Sequence, residues 1–185
     1  MKRRLIYASI ALLAVVSVSL AQMTKKTAPA KTAPTGKTHL MILPDAIKWG
    51  PIPANVMEGA PPAEFAKEPP LQCAILAGDP TKPGSPYIIR IKTPDGARIA
   101  PHWHPGDENI TVIQGTFLLA TGKKFDQAGL HAMPVGSYAL MPKRTAHFAS
   151  SKGDSIVQVN GIGPFKIVWV NPAATPPAKS SKSGN

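Results

Sequence analysis

Residues 96 to 115, GARIAPHWHPGDENITVIQG, hold two of the chain's five histidines one residue apart, with a glutamate four positions later. Residues two apart on a strand project to the same face. His102 and His104 therefore present both imidazoles to one side, with Trp103 on the other. Pro-Gly-Asp then turns the chain, and Glu108 begins the next apolar run. An antiparallel partner strand would bring its carboxylate beside the two rings. Two imidazoles and a carboxylate converging on a point suit a divalent transition metal with positions left open for water or substrate. An H-x-H pair alone is a weak signal, because an ordinary hairpin also sets polar side chains close together.

Positioning such a group falls to the elements around it. From Leu71 onward, short apolar or alternating runs recur: LQCAILAG, SPYIIRIKT, RIAPHWH, NITVIQGTFLLAT, GSYALMP, AHFASS, SIVQVNG and PFKIVWV. Turn segments such as GDPTKPG, PDG, PGD and KGD separate them. Many short β-rich runs with Gly, Pro and Asp turns predict an all-β sandwich or barrel. DQAGLHAM has room for one helical turn. Residues 39–70 are rich in proline and glycine. Proline withholds ladder donors and breaks helices, so this stretch reads as an extended arm over the barrel surface. Trp49 would pin it, and a short helical turn fits Pro62 to Lys67.

The spacing around the two histidines extends in both directions. Gly96 is followed by five residues, His102, one residue, His104, three residues, Glu108, six residues and Gly115. Further on, Gly136 is followed by Pro142 and then by His147. Both patterns match the two sequence signatures of the cupins, the first without a gap. Over residues 71–171 the chain resembles a small single-domain bacterial cupin with an RmlC-like jelly roll. The resemblance implies a double-stranded β-helix barrel and a metal centre of three histidines and one glutamate, here His102, His104, Glu108 and His147. The ion would be one of Fe, Mn, Zn, Ni or Cu. It also implies pairing of two copies through their sheets. The chain departs from the second signature at Arg144, where the pattern has glycine, and at Ser151, where it has asparagine. Arg144 is expected to change the turn before His147 and to place a cation near the mouth. Neither departure removes a ligand.

With Glu108 facing in, alternation puts Ile110 and Val112 on its face. Phe117, Tyr138, Gln158 and Trp169 are further candidates to line a pocket, each with core packing as the competing role. Arg90 reads as the solvent side of its strand. His39 and His131 fall outside the signatures, and His131 reads as a loop residue. Cys73, the one cysteine, sits in LQCAIL as a small buried side chain and has no partner for an internal disulfide.

The ends of the chain carry most of its charge. The net charge is +11, but nine of the 21 Lys and Arg residues and none of the 10 acids lie in residues 1–38 and 172–185. The rest is nearly neutral, which argues against a nucleic-acid surface, since holding phosphates needs clustered cations. Residues 1–21, with MKRR ahead of an uncharged run from Leu5 to Leu20 and small residues at Ser19 and Ala21, read as a signal peptide cleaved after Ala21. The run is short for a spanning helix, so no stable membrane span is expected after cleavage. Residues 22–38 and 172–185 read as low-complexity basic segments without the apolar content to fold. The expectation is an exported protein binding a small molecule. It would be either a metalloenzyme with dioxygenase-like chemistry or a non-catalytic metal or ligand-binding protein.

Overall fold

The computed structural model describes residues 39–172. The expected leader, the linker and all but the first residue of the expected tail lie outside that range. Among the described residues no helix is long and apolar enough to cross a membrane. The described residues form ten strands, with only short 3-10 turns between some of them. They are β1 (Gly50–Pro51), β2 (Met57–Glu58), β3 (Gln72–Gly78), β4 (Pro86–Thr93), β5 (Arg98–Trp103), β6 (Glu108–Thr121), β7 (His131–Met133), β8 (Tyr138–Met141), β9 (His147–Ile162) and β10 (Ile167–Trp169).

Two long strands, β6 and β9, run through both walls of the barrel. The second half of β9 lies between β4 and the first half of β6, with Arg90 opposite Gln158 and Val112 opposite Val157. The first half of β9 lies between β5 and the second half of β6, with His102 opposite His147 and Leu119 opposite Ala149. One wall is thus β1-β3-β4-β9-β6-β8, and the other is β2-β10-β5-β9-β6-β7. This is the double-stranded β-helix expected of the sequence. The register of β6 shifts on either side of Gln114, where the strand passes from one wall to the other. Gly115 makes that bend possible. Its φ is +71°, and a β-carbon there would collide with the carbonyl oxygen of Asp154.

The same bend explains a miscount of strands. Lys152, Gly153 and Asp154 read as a turn between two strands but belong to one continuous strand, β9. All three are exposed and Gly153 has a φ of 71°, so the chain kinks without leaving the ladder. In DQAGLHAM the expected helical turn occupies Gln127–Gly129. His131 is not in a loop: it starts β7 and pairs with Leu119.

The inward faces form the core. Tyr87, Ile89, Ile110, Val112, Phe117, Leu119, Val157 and Val159 pack there, each at most 5% exposed. Each contributes roughly 1.5–3 kcal/mol by leaving water. The proline-rich arm is more than a surface strap. β1 pairs antiparallel with β3, and β2 pairs parallel with β10, so the arm closes the free edges of both walls. Between them it inserts Val56 into the core, and Phe65 is buried in the 3-10 turn Ala63–Phe65. Short edge strands of this kind satisfy backbone groups that would otherwise be open to pairing. The Lys92 ammonium sits 4.5 Å from the centre of the Trp49 ring, which fixes the start of the arm on β4.

Candidate metal centre

His102 lies near the end of β5, His104 just beyond it, and His147 opens β9. All three come from one wall. Glu108 opens β6 in the opposite wall and pairs with Met141 of β8. Glu108 therefore does not return beside the histidines on a neighbouring strand of β5, as a simple hairpin would require. β5 pairs with β9 and β10 instead, and the carboxylate reaches the rings across the barrel interior. The four residues are 3–6% exposed. One ring nitrogen from each histidine lies within 4.8 Å of the others, a spacing at which the three can hold a metal ion.

Hydrogen bonds to the backbone settle which nitrogen is free. His102 Nδ1 lies 2.7 Å from the Ala100 carbonyl oxygen, His104 Nδ1 2.5 Å from that of Lys166, and His147 Nδ1 2.9 Å from that of Thr145. A carbonyl only accepts, so each Nδ1 carries the proton and donates. In its neutral form each ring then keeps its lone pair on Nε2. Glu108 Oε2 stands 3.4 Å from His104 Nε2 and 3.3 Å from His147 Nε2. His104 Nε2 and Glu108 Oε2 are buried without a hydrogen-bond partner. Acceptors facing an acceptor in a buried site need a proton or a cation between them. Backbone partners on the far nitrogens are the means by which metal-binding histidines are oriented.

The charge balance follows the same geometry. Burial pushes the His102 imidazolium well below its ordinary range, and the neighbouring His147 and His104 push it further. Burial also works against a charged His104, but the Glu108 carboxylate and the Lys166 carbonyl outweigh it and raise its pKa. For Glu108, burial favours the neutral acid, and the adjacent His104 and His147 overcome this and hold the carboxyl well below the usual range. The carboxylate is thus the stable form, as a metal ligand requires.

Packing holds the rings in place. His104 stacks on Phe165 with centroids 4.7 Å apart and planes 19° from parallel. The Trp169 ring meets His102 edge-on at 5.7 Å. The turn before His147 keeps the shape that glycine gives it. Arg144 has a φ of 63°, the left-handed conformation that glycine adopts without cost, and its N–H donates to the His104 carbonyl at 2.8 Å. The expected change of turn geometry is absent, because the backbone bond holds the arginine in the strained conformation. Its side chain points into solvent. Ser151, the second departure, is buried, and its hydroxyl donates to the Pro94 carbonyl.

Beside the four polar residues lies a cavity of about 40 Å³. Of the residues named as candidate lining, Ile110 and Phe117 face it. Val112 is buried on the same face, one step beyond it. Tyr138 is 60% exposed and bonds Asn109 Oδ1, because its position in β8 faces outward. Gln158 also faces outward and accepts from Arg90 Nε at 3.2 Å, which places both on the outer side of their wall. Trp169 packs behind His102, outside the cavity. His131 is exposed at a separate cleft between β7 and β8. Phe165 and Ile167 line the cavity and were missed, although the alternation in PFKIVWV that singles out Trp169 places them on its face. The three carbonyls that orient the histidines left no trace in the sequence.

No family model matches the chain, and no curated protein matches it. Solved structures do. The polyketide cyclase RemF from Streptomyces resistomycificus is 16% identical, with a TM-score of 0.51 over 70% of this chain and 82% of that one. KdgF from a Halomonas species is 17% identical, with a TM-score of 0.47 over 68% of this chain and 96% of that one. An RmlC-like cupin from Shewanella frigidimarina is 13% identical, with a TM-score of 0.47 over 68% and 91%. With its two curled walls and its histidine cluster between them, this chain is a small barrel of the cupin fold.

Proposed function

We propose that this protein is an exported metal-binding cupin that takes a small organic molecule at an open centre of His102, His104, His147 and Glu108. One observation carries the reading. Three imidazoles, each oriented by a backbone bond at Nδ1, bring one nitrogen apiece within 4.8 Å of one another, and two of them face a Glu108 oxygen that has no hydrogen-bond partner. A transition metal held there supplies Lewis acidity and, if the ion is redox-active, dioxygenase-like chemistry at its open positions. The chain's own residues do the rest. The three carbonyls fix the Nδ1–H tautomer and aim the rings. Phe165 and Trp169 prevent two of them from turning. Ile110, Phe117, Leu119 and Val159 exclude water from the side facing the ligands. The leader-like residues 1–21 support export, and the resemblance in sequence supports a homodimer.

A specific observation favours a second reading, a non-catalytic binding cupin. Among the described residues, the metal cavity is lined by no titratable side chain other than the four candidate ligands. Any proton transfer would have to use Glu108 itself. Metal analysis of protein from the exported fraction, followed by oxygen uptake with catechols, thiols and diketones, separates the two. Turnover with any metal supports the enzyme. One bound equivalent of metal with no turnover supports the binding protein. Refusal of Fe, Mn, Zn, Ni and Cu alike at neutral pH ends the metal reading and leaves only a protein that binds a small ligand without metal.

A further inference from the structure

The metal cavity, at about 40 Å³, has room for a few water molecules. Organic ligands occupy pockets of roughly 300 Å³ upward. A hollow of about 320 Å³ lies between the proline-rich arm and strands β5 and β10. The two spaces have four side chains in common: Ile52, Leu71, Ile99 and Ile167. These four form a partition, and Trp169 lines the hollow while its ring abuts His102. The cleft between β7 and β8, about 300 Å³, shares only Leu119 with the metal cavity.

The polarity of the two spaces is lopsided. The hollow is walled by residues such as Met57, Phe65, Leu71 and several prolines. Its charged residues, Glu68 and Arg98, already satisfy one another. The carboxylate takes the Arg98 backbone N–H at 2.9 Å and its guanidinium at 2.5 Å. The metal cavity has polar groups only at the histidine and glutamate cluster. Among the described residues, Arg98, 40% exposed and tied to Glu68, is the one cation of the hollow; along the four-residue partition a ligand would meet only apolar side chains before the metal centre.

We infer that the space beneath the arm is the outer half of the ligand site. It would hold the apolar chain of an elongated organic molecule whose single oxygen-donor head passes between Ile52, Leu71, Ile99 and Ile167 to the histidine cluster. The inference rests on the metal-binding reading and narrows its ligand to molecules of this class.

The test uses straight-chain carboxylates as probes with Co(II) and a straight-chain alcohol without it, each titrated calorimetrically into the full chain. Each buried methylene is worth about fourfold in affinity, so hexanoate should bind at least tenfold more tightly than acetate. Ala66 is exposed and faces the hollow. Ala66→Leu should weaken hexanoate and Ala66→Trp should abolish its advantage, with acetate unaffected and the fold checked by circular dichroism. In the metal-free protein, where a carboxylate head would meet Glu108 with no cation between them, the uncharged hexanol is the probe, and it should also shift the His102 imidazole resonances. Equal affinity for the two acids overturns the inference. So does a chain-length effect that survives both Ala66 variants, or that Met141→Trp removes in the other cleft, or binding that leaves the His102 resonances unmoved. Failure to take up Co(II) sinks the metal reading separately, since the metal-free titration still decides whether the hollow binds the chain.

Discussion

Arg144→Gly should stabilise the protein, although it removes a charge and side-chain atoms. Arg144 holds a φ of 63° in the turn that ties residue 144 to the His104 carbonyl. A β-carbon in that conformation costs about 1–2 kcal/mol. Glycine removes the cost but adds freedom to the unfolded chain, worth about 0.5–1 kcal/mol against folding. The exposed guanidinium contributes little either way. The net is a gain of about 0.5–1 kcal/mol, or a rise in Tm of about 1–4 °C for a chain of this size. Arg144→Ala is the control, because it keeps the β-carbon and removes the charge; it should leave Tm within about 1 °C of the parent. Calorimetry on the metal-free protein measures all three. Metal affinity should be unchanged in both variants, since the backbone N–H that fixes His104 survives. A glycine variant no more stable than the alanine one would refute the strain argument.

His102→Ala with His147→Ala should abolish metal uptake, read as bound equivalents after dialysis. Binding by the parent should weaken as pH falls through the histidine range, because protons compete for the same Nε2 lone pairs. Gly115→Ala should destabilise by about 3 kcal/mol or more, from strain at φ +71° and collision with the Asp154 carbonyl; a loss below about 1 kcal/mol in chemical denaturation would refute it. Burial pushes the Glu68 carboxyl up, but the Arg98 backbone bond, guanidinium and charge outweigh this and hold it below its ordinary value. Its folded pKa therefore lies under its unfolded one. The pair's stabilisation is complete above the ordinary carboxylate range and is lost as pH falls through the folded value. The pair is partly exposed, so Glu68→Gln should cost only about 0.5 kcal/mol at neutral pH and nothing at the acid end, measured as Tm against pH.

Much of the site was legible because it is written in local spacing. His102 and His104 share a face by strand alternation alone, and Gly96 and Gly115 bracket them at the ends of the motif. Ile110 could be placed on the inner face by counting in twos from Glu108. Tyr138 and Gln158 could not be placed, because alternation says which residues share a face and not which face is in. β8 turns out to point Met141 inward and Tyr138 outward, the parity set by Glu108 pairing with Met141. The KGD kink in β9 was misread for a related reason. A bend within a strand and a turn between strands use the same residues.

The sequence by itself determined the strand-rich fold and the shared face of His102 and His104, because each depends on neighbours a few positions away, while His147 joined them only through the resemblance to the cupin signatures. Only the tertiary structure decided that Glu108 meets the histidines from the opposite wall, that carbonyls of Ala100, Lys166 and Thr145 choose the free nitrogens, and that the arm covers a hollow beside the metal cavity. Those are pairings between residues distant in the chain. They are fixed by which strands share a ladder, and no local pattern of side chains carries that information.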